Sequence, residues 1–373
     1  MSKIVLHIAE ASGGVERYLV TLLTKMKKYP EFEHILVCST TFDKEKFRSL
    51  VKSIAVIPDM HNVISGSHDL KAIIQVRRAI RHYEPDIVYC HSSKAGAIGR
   101  IADVGIKNTL IYNAHGWSFN MKGVSVKKIK LYEMVEKMLA PMADKIVCIS
   151  EYEKKSALEH KICKDNKLVV INNGIDFDEF KTLQPKRRDE LGIPANAFVV
   201  GTIGRLTVQK APDIFVKMAK VVKEKIPNAF FIMVGDDIGD GKFRGETEAW
   251  IKAVGLEDSF LITGWVNNPL DYEGLFDVAI LLSRWEGFGL VLPEYMYREK
   301  PIVATKADAI PYVVGDAGLL VEIDDYEAAA ESVIKLYEDK GLGSKIIEKG
   351  RKRVNLFNAQ RTADEHVGVF HKI

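Results

Sequence analysis

The chain lacks several things, and each absence narrows the reading. It has no uninterrupted run of about 18 uncharged apolar residues, so a membrane-spanning helix is not expected. Its four cysteines, Cys38, Cys90, Cys148 and Cys163, include no Cys-x-x-Cys pair, and the first three lie in or beside apolar strand-like runs. They read as reduced core residues of a cytosolic protein. The Gly-x-Gly-x-x-Gly fingerprint is missing, which disfavours a dinucleotide-dependent dehydrogenase. Residues 3–8 already form an apolar strand pattern, which leaves no room for a leader peptide.

What is present describes a soluble globular protein: 373 residues, 47% hydrophobic and 28% charged. That length implies two domains. The net charge of +3 is unevenly spread. Residues 1–172 carry 27 Lys/Arg against 18 Asp/Glu, giving +9, and residues 173–373 carry 26 against 32, giving −6. A basic first half suits an anionic partner, either a membrane surface or a phosphorylated acceptor; an accident of surface composition is the plain alternative.

Both halves alternate short apolar runs with amphipathic ones. Strands are expected at 4–9, 34–38, 54–57, 87–90, 110–113, 145–149 and 168–171, with helices near 15–27, 70–82, 95–105, 126–139 and 152–159. The second half repeats the pattern, with strands at 198–203, 230–234, 260–263, 278–282, 302–304 and 319–321 and helices at 213–225, 246–254, 292–298, 326–338 and 344–354. Such alternation predicts α/β architecture with two Rossmann-like, doubly wound parallel sheets. The turn-forming stretch Asn172-Asn173-Gly174-Ile175-Asp176 marks the connection, giving domains at 1–172 and 173–355. Residues 356–373 again have helical spacing.

Ligands of such sheets gather at the carboxyl ends of strands, so the residues that follow strands carry the functional argument. The richest stretch runs from Ser283 to Glu294 and contains Glu286-Gly287-Phe288-Gly289-Leu290-Val291. Gly287 and Gly289 permit a sharp turn and a close ligand approach, and Pro293 suits a first helical turn. Free N–H groups at that helix start suit an anion, while Glu286 and Glu294 suit sugar or ribose hydroxyls. Together they suit a nucleotide-sugar. On another loop, Gly204-Arg205-Leu206-Thr207-Val208-Gln209-Lys210, two cations precede a helix. Arg offers phosphate a planar fork and Lys a point charge. Gly235 and the segment Thr263-Gly264-Trp265-Val266 follow strands and would border a base. Asp236, Asp237 and Asp240 read as solvated loop acids rather than a metal site.

The Glu-x7-Glu pattern of Glu286 and Glu294, with its embedded Gly-Phe-Gly, resembles the donor signature of GT-B-fold, family-4-type retaining glycosyltransferases. The resemblance extends over nearly the whole chain. It includes the Gly13-Gly14 loop after the first strand, the His-Ser-x-Lys-Ala-Gly stretch from His91 to Gly96, His115, the Asn-Gly-Ile-Asp turn, and Arg205 with Lys210. It implies two Rossmann-like domains facing across a cleft, with the C-terminal helix 356–373 packing back onto the first.

The resemblance also implies roles. Arg205 and Lys210 hold the departing diphosphate, with Gly13, Gly14 and the backbone of Phe288, Gly289, Leu290 and Val291 beside it. Glu294 holds the ribose, and Gly235 and Val266 meet the nucleotide. Glu286 and His115 contact the sugar, and closure of the cleft excludes water. Glu16, Ser92 and Lys94 lie toward the acceptor, Ser92 and Lys94 having helix capping as their plain alternative. The nucleotide-sugar, a UDP-sugar, is a substrate, so no cofactor or metal is implied. The partners implied are this donor and a lipid-linked or growing surface-polysaccharide acceptor. The expected location is cytoplasmic, with peripheral contact at the inner membrane face. Segment 124–142 reads either as a core-packing helix or as an interfacial one bearing Lys127, Lys128 and Lys130. Two rivals stand beside the transferase: a UDP-sugar epimerase of the same fold, and a catalytically idle nucleotide-binding scaffold.

Overall fold

The computed structural model describes every residue except Met1, Ala11, Ser12, Asn62, Val63, Ile238, Gly239, Asp240 and Ile373. The chain divides into two units, Met1–Gly174 with Phe357–Ile373, and Ile175–Leu356.

In chain order the first unit contains β1 (Lys3–Ala9), α1 (Gly14–Met26), β2 (Phe32–Cys38), β3 (Ser53–Val56), α2 (Gly66–Tyr83), β4 (Ile87–His91), α3 (Ser93–Ala102), β5 (Thr109–Asn113), α4 (Val126–Leu139), β6 (Lys145–Cys148), α5 (Glu151–Glu159) and β7 (Leu168–Val170). The second contains β8 (Phe198–Ile203), α6 (Pro212–Lys225), β9 (Ala229–Val234), α7 (Lys242–Ala253), β10 (Phe260–Ile262), α8 (Leu270–Glu273), β11 (Val278–Leu281), α9 (Val291–Tyr297), β12 (Ile302–Thr305), α10 (Ile310–Val314), β13 (Leu319–Val321), α11 (Tyr326–Glu338) and α12 (Lys340–Arg353). The chain then returns to the first unit through α13 (Ala359–Lys372).

Among the described residues each unit has one parallel sheet. The strand orders are β3-β2-β1-β4-β5-β6-β7 and β10-β9-β8-β11-β12-β13. Both reverse direction beside their first strand, between β1 and β4 and between β8 and β11, which is where a doubly wound sheet opens a crevice for a ligand. Strands covered on both faces must be apolar throughout. Accordingly Ala229-Phe230-Phe231-Ile232-Met233-Val234 of β9 is buried at every position. The first unit has an apolar cluster on each face of its sheet, one with α2 and α3 and the other with α1 and α13. Cys38, Cys90 and Cys148 lie inside these clusters, where burial pushes the Cys38 thiol up to about 11 and the Cys90 thiol up to about 12.

Helix α4 packs on the core only in part, through half-buried Ile129 and Tyr132. Only Glu136 and Leu139 of it are buried, while Val126, Leu131, Met134 and Met138 are 69%, 43%, 50% and 66% exposed. A buried ion pair helps to hold it. The Glu136 carboxylate accepts from Arg100 Nη2 at 2.9 Å and from the Tyr112 hydroxyl at 2.7 Å, and the guanidinium lies 4.0 Å from the Tyr112 ring centre. At the other end of the chain, α13 packs on α1 and buries Phe370. Its first turn meets Gly174 so closely that a Cβ there would stand 2.6 Å from the backbone of Ala359, and Thr362 Oγ1 donates to the Asn172 carbonyl at 2.9 Å.

The helix starts differ from the sequence expectation where an acid caps them. Helix α7 begins at Lys242 because Asp237 Oδ2 accepts from Phe243 N at 3.0 Å. Helix α12 begins at Lys340, with Asp339 accepting from Leu342 N at 3.0 Å, and runs through Gly341 and Gly343. The short helices α8 and α10 lack the length to give a periodic signal.

Candidate functional site

In the second unit the loops that follow β8 and β11 are bonded to one another. Arg284 N donates to the Gln209 carbonyl at 2.8 Å, and Gln209 Nε2 donates to the Trp285 carbonyl at 3.0 Å. The Arg284 guanidinium joins three elements, donating to the Val208 carbonyl at 2.9 Å, Asp213 Oδ2 at 2.6 Å and Asp324 Oδ1 at 2.7 Å. This clamp brings Lys210 and Glu286 into an ion pair, with Ser283 Oγ donating to the same carboxylate oxygen at 3.4 Å. Asp308, at φ 45°, accepts from Glu286 N at 2.9 Å and fixes the turn. Arg205 is exposed, and its side chain has no hydrogen-bond or ionic partner among the described residues. Arg205 and Lys210 line one small cavity. With Lys210 already balanced by Glu286, Arg205 leaves an open guanidinium fork at this edge, which suits an oxyanion.

The turn Glu286-Gly287-Phe288-Gly289 leads into α9, whose own ladder starts with Leu292 N donating to the Gly289 carbonyl at 2.9 Å. Gly289, Leu290 and Val291 therefore precede the first intrahelical bonds. Phe288 and Leu292 are buried beneath the turn, and Glu294 is buried in the first turn of α9 at 1% exposure. Gly235 has φ 136° and pairs with Gly264 in an isolated bridge. A Cβ there would stand 2.2 Å from the Gly204 carbonyl oxygen, so the backbone after β9 lies against the loop that carries Arg205. Val266 is half-buried beside Trp265, which is 62% exposed. The loop acids are not solvated as expected. Asp237 is buried as the α7 cap and Asp236 pairs with Arg244 at 3.4 Å, while Asp240 lies outside the described residues.

In the first unit the residues expected to bind ligand surround the ends of β1, β4 and β5. Ser12 lies outside the described residues. Gly13, at φ 83°, and Gly14 open α1, and a Cβ on either would meet nothing within 4 Å among the described residues. Glu16 is buried and engaged, accepting from Lys46 Nζ at 2.8 Å and from Asp43 N at 3.2 Å. Ser92 caps α3, accepting from Ala95 N at 3.3 Å, while its hydroxyl donates to Glu10. Lys94 pairs with Asp69 at 2.5 Å. These three side chains are thus tied within their own unit.

His115 follows β5 at φ 53°, a rare backbone conformation held by its N–H to Asn113 Oδ1 at 2.9 Å. The ring is half-buried, with Nε2 3.1 Å from His91 Nδ1 and Tyr18 edge-on at 4.5 Å between ring centres. Burial lowers the His115 pKa to about 3, so the imidazole is neutral near pH 7. The sequence reading missed what supports it. Glu153 of α5 accepts from Gly116 N at 2.5 Å and Ile149 N at 2.7 Å, and its carbonyl accepts from Trp117 Nε1 at 3.0 Å. Burial raises its carboxyl to about 7, against the two backbone N–H groups that favour the charged form. Glu10, Arg284 and Asp308 were missed likewise. Each lies directly after a strand or near the end of one, so the strand-end rule that found His115 also pointed to them.

Comparison with known proteins places these features in context. Residues 12–179 match the family model described as Glycosyltransferase Family 4, and residues 184–353 match Glycosyl transferases group 1. The chain is 29% identical over 321 residues to the UDP-Gal:alpha-D-GlcNAc-diphosphoundecaprenol alpha-1,3-galactosyltransferase of Escherichia coli, covering 83% of this chain and 81% of that one. It is 27% identical over 327 residues to the capsular polysaccharide biosynthesis glycosyltransferase CapM of Staphylococcus aureus, covering 85% of each. Anabaena HepE in complex with UDP and glucose has the same fold, with a TM-score of 0.84, 20% identity and 99% of each chain covered. The two family models together take in nearly all of the chain, and the protein therefore belongs to the family-4 glycosyltransferases of GT-B fold.

Proposed function

We propose that the protein transfers a hexosyl or N-acetylhexosaminyl group from a UDP-sugar to a lipid-linked or growing surface-polysaccharide acceptor, with retention of anomeric configuration and without a metal ion. The observation that carries this reading is the edge of β8 and β11, where the open Arg205 fork stands on the same loop as the Lys210–Glu286 pair. An incoming diphosphate competes with Glu286 for Lys210. Its arrival shares the ammonium and leaves the carboxylate able to accept from sugar hydroxyls and to face the cationic sugar of the transition state. Arg205 and Lys210 then stabilise the leaving diphosphate, assisted by N–H groups of the turn before α9 and by Gly13 and Gly14. Glu294 takes the ribose, Gly235 and Val266 border the base, and His115 is assigned a sugar contact. The acceptor hydroxyl attacks the face from which the diphosphate departs and gives its proton to the departing oxygen. The names of the E. coli relative, which uses UDP-galactose and a diphosphoundecaprenol acceptor, and of HepE with UDP and glucose support the donor and acceptor classes.

A second observation supports peripheral membrane contact. The exposed apolar residues of α4 share the helix with Lys127, Lys128 and Lys130, a combination that suits an anionic lipid surface. No helix among the described residues is long and apolar enough to cross a membrane.

The test is a donor panel. Purified protein is mixed with UDP-, GDP- and dTDP-sugars in excess chelator, with and without a membrane lipid extract, and released nucleotide is measured. Release of UDP from one donor, stimulated by the extract, is the expected result, and the product's anomeric configuration decides retention. Interconversion of sugar-nucleotides without release points to the epimerase. Loss of activity that added metal restores rejects the metal-free scheme.

A further inference from the structure

Four histidines of the first unit form a continuous file. His34 Nδ1 is 3.0 Å from His7 Nε2, His7 Nδ1 is 3.1 Å from His91 Nε2, and His91 Nδ1 is 3.1 Å from His115 Nε2. The file crosses one face of the sheet diagonally, because the parallel register places His34 beside Val5 and His91 beside Ala9, two residues before and after His7. His91 in turn lies beside Asn113, two residues before His115. It therefore starts in β2, three residues into the strand, and ends at the carboxyl edge, in a layer that α1 and α13 otherwise fill with apolar side chains.

A neutral imidazole has one N–H and one bare nitrogen, so a file of four rings has only two fully bonded arrangements. In one, every ring carries its proton at Nδ1, and His115 shows an N–H at its unshared nitrogen. In the other, every ring carries it at Nε2, and His115 shows a lone pair. The far end separates the two. His34 Nε2 is buried and has no partner among the described residues, so the second arrangement would leave an N–H orphaned there. Orphaned buried N–H groups are rare in folded proteins. We propose that His34, His7 and His91 are positioning residues that fix His115 as the Nδ1–H tautomer, so that it meets its ligand as a hydrogen-bond donor.

The rings stay neutral near pH 7, as a tautomer file requires. Burial lowers His34 to about 4 and His115 to about 3, and holds His7 and His91 well below the usual histidine range. A neighbouring ring shows the same preference by a different route: His366 Nδ1 lies 2.7 Å from the Thr362 carbonyl, which accepts only a proton-bearing nitrogen. Its Nε2 is thereby left as an acceptor, with the Tyr18 and Tyr89 hydroxyls at 3.0 and 2.9 Å. The use His115 makes of its N–H rests on the function proposed above; the tautomer does not.

The experiment is a ring nitrogen–proton spectrum of the full-length protein labelled with ¹⁵N-histidine at neutral pH, with His115 assigned by its loss in His115→Gln. The expected result is Nδ1–H in all four rings. A proton at Nε2 in any of them, or averaged nitrogens at His115, overturns the proposal. His34→Glu then drives the file from its far end. His34 borders an open cavity of about 380 Å³ that Lys27 and the Lys52–Glu33 pair also line, which gives the new side chain room and, beside Lys27, favours its ionised, acceptor-only form. His115, three rings away, is expected to reverse to Nε2–H. Reversal at His7 with His115 unchanged shows that the file does not transmit and overturns the proposal; should His34→Glu not fold, the wild-type spectrum decides alone. In the donor assay His34→Glu is expected to lower turnover about tenfold, the worth of one lost hydrogen bond in the transition state. Reversal of the tautomer with turnover intact keeps the relay and removes His115 from the sugar.

Discussion

The two sheets share a strand order and a point of reversal, yet their carboxyl edges are built from opposite materials. The edge of the second unit is made of charges: Arg284 between Asp213 and Asp324, Lys210 against Glu286, and Arg205 open. The edge of the first is made of neutral rings and engaged acids, with His115, His91 and Glu10 tied into their surroundings. The fold decides where a ligand is met, and the side chains decide whether it is met by charge or by directed hydrogen bonds. A diphosphate needs the former; an uncharged sugar hydroxyl needs the latter.

The same contrast separates two of the ion pairs, Arg100–Glu136 and Lys210–Glu286, and variants sharpen it. Glu136 is 3% exposed against Arg100 at 0%, so Glu136→Ala strands a buried guanidinium. A loss of about 3–5 kcal/mol in unfolding free energy is expected, read by denaturant titration. Glu286 and Lys210 are 13% and 21% exposed and lie at the ligand edge. Their removal is expected to act on the reaction instead: Lys210→Ala, and Arg205→Ala likewise, lower kcat by at least about 10²-fold in the nucleotide-release assay, with the unfolding midpoint little changed. Equal turnover in both variants and wild type breaks the assignment.

Acid distinguishes the units as wholes. Five imidazoles of the first unit, His7, His34, His91, His115 and His366, are held by burial below their ordinary value of 6.5. Their stabilising contribution is complete above about pH 6.5. It is lost as pH falls toward the folded values, about 4 for His34 and His366 and about 3 for His115. Glu153 runs the other way: its carboxyl, raised to about 7 from 4.5, destabilises the fold as pH rises through that window. Burial raises the Glu10 and Asp103 carboxyls too, and three such groups do not balance five imidazoles. Each proton taken up on unfolding steepens the fall by about 1.4 kcal/mol per pH unit. Pulse proteolysis with mapped fragments is expected to show cleavage of the first unit before the second between pH 6.5 and 4; simultaneous cleavage counts against the contrast. The smallest effect is expected on α4, where Met134→Ser with Met138→Ser changes stability by no more than about 0.5 kcal/mol. The same pair weakens flotation with anionic vesicles.

Much of this was legible in the sequence because it depends on local pattern. Apolar runs alternating with amphipathic ones mark the strands and helices of both sheets, and the strand-end rule finds both Gly204–Lys210 and Ser283–Glu294 before any contact between them is known. What was not legible depends on pairing. His7, His34 and His91 come from three strands, and only the register aligns them. Arg284 reads as one more loop cation until its three partners are in place. Helix α4 has apolar residues at helical spacing, which periodicity alone assigns to a core. It packs there through Ile129 and Tyr132, and the Arg100–Glu136 contact holds it by charge as well, while Met134 and Met138 stay exposed. Asp237 reads as a solvated acid because capping depends on where the following helix starts.

The return of α13 has a consequence for how the protein is made. Ala363, Val367 and Phe370 complete the apolar cluster over α1, yet they follow the whole of the second unit in the chain. A ribosome therefore finishes Ile175–Leu356 before it delivers the helix that closes what it began first. The emerging polypeptide spends that interval with the apolar cluster over α1 incomplete, a sticky surface of the kind that chaperones bind. The later-synthesised half is free to fold on schedule while the earlier half waits for it.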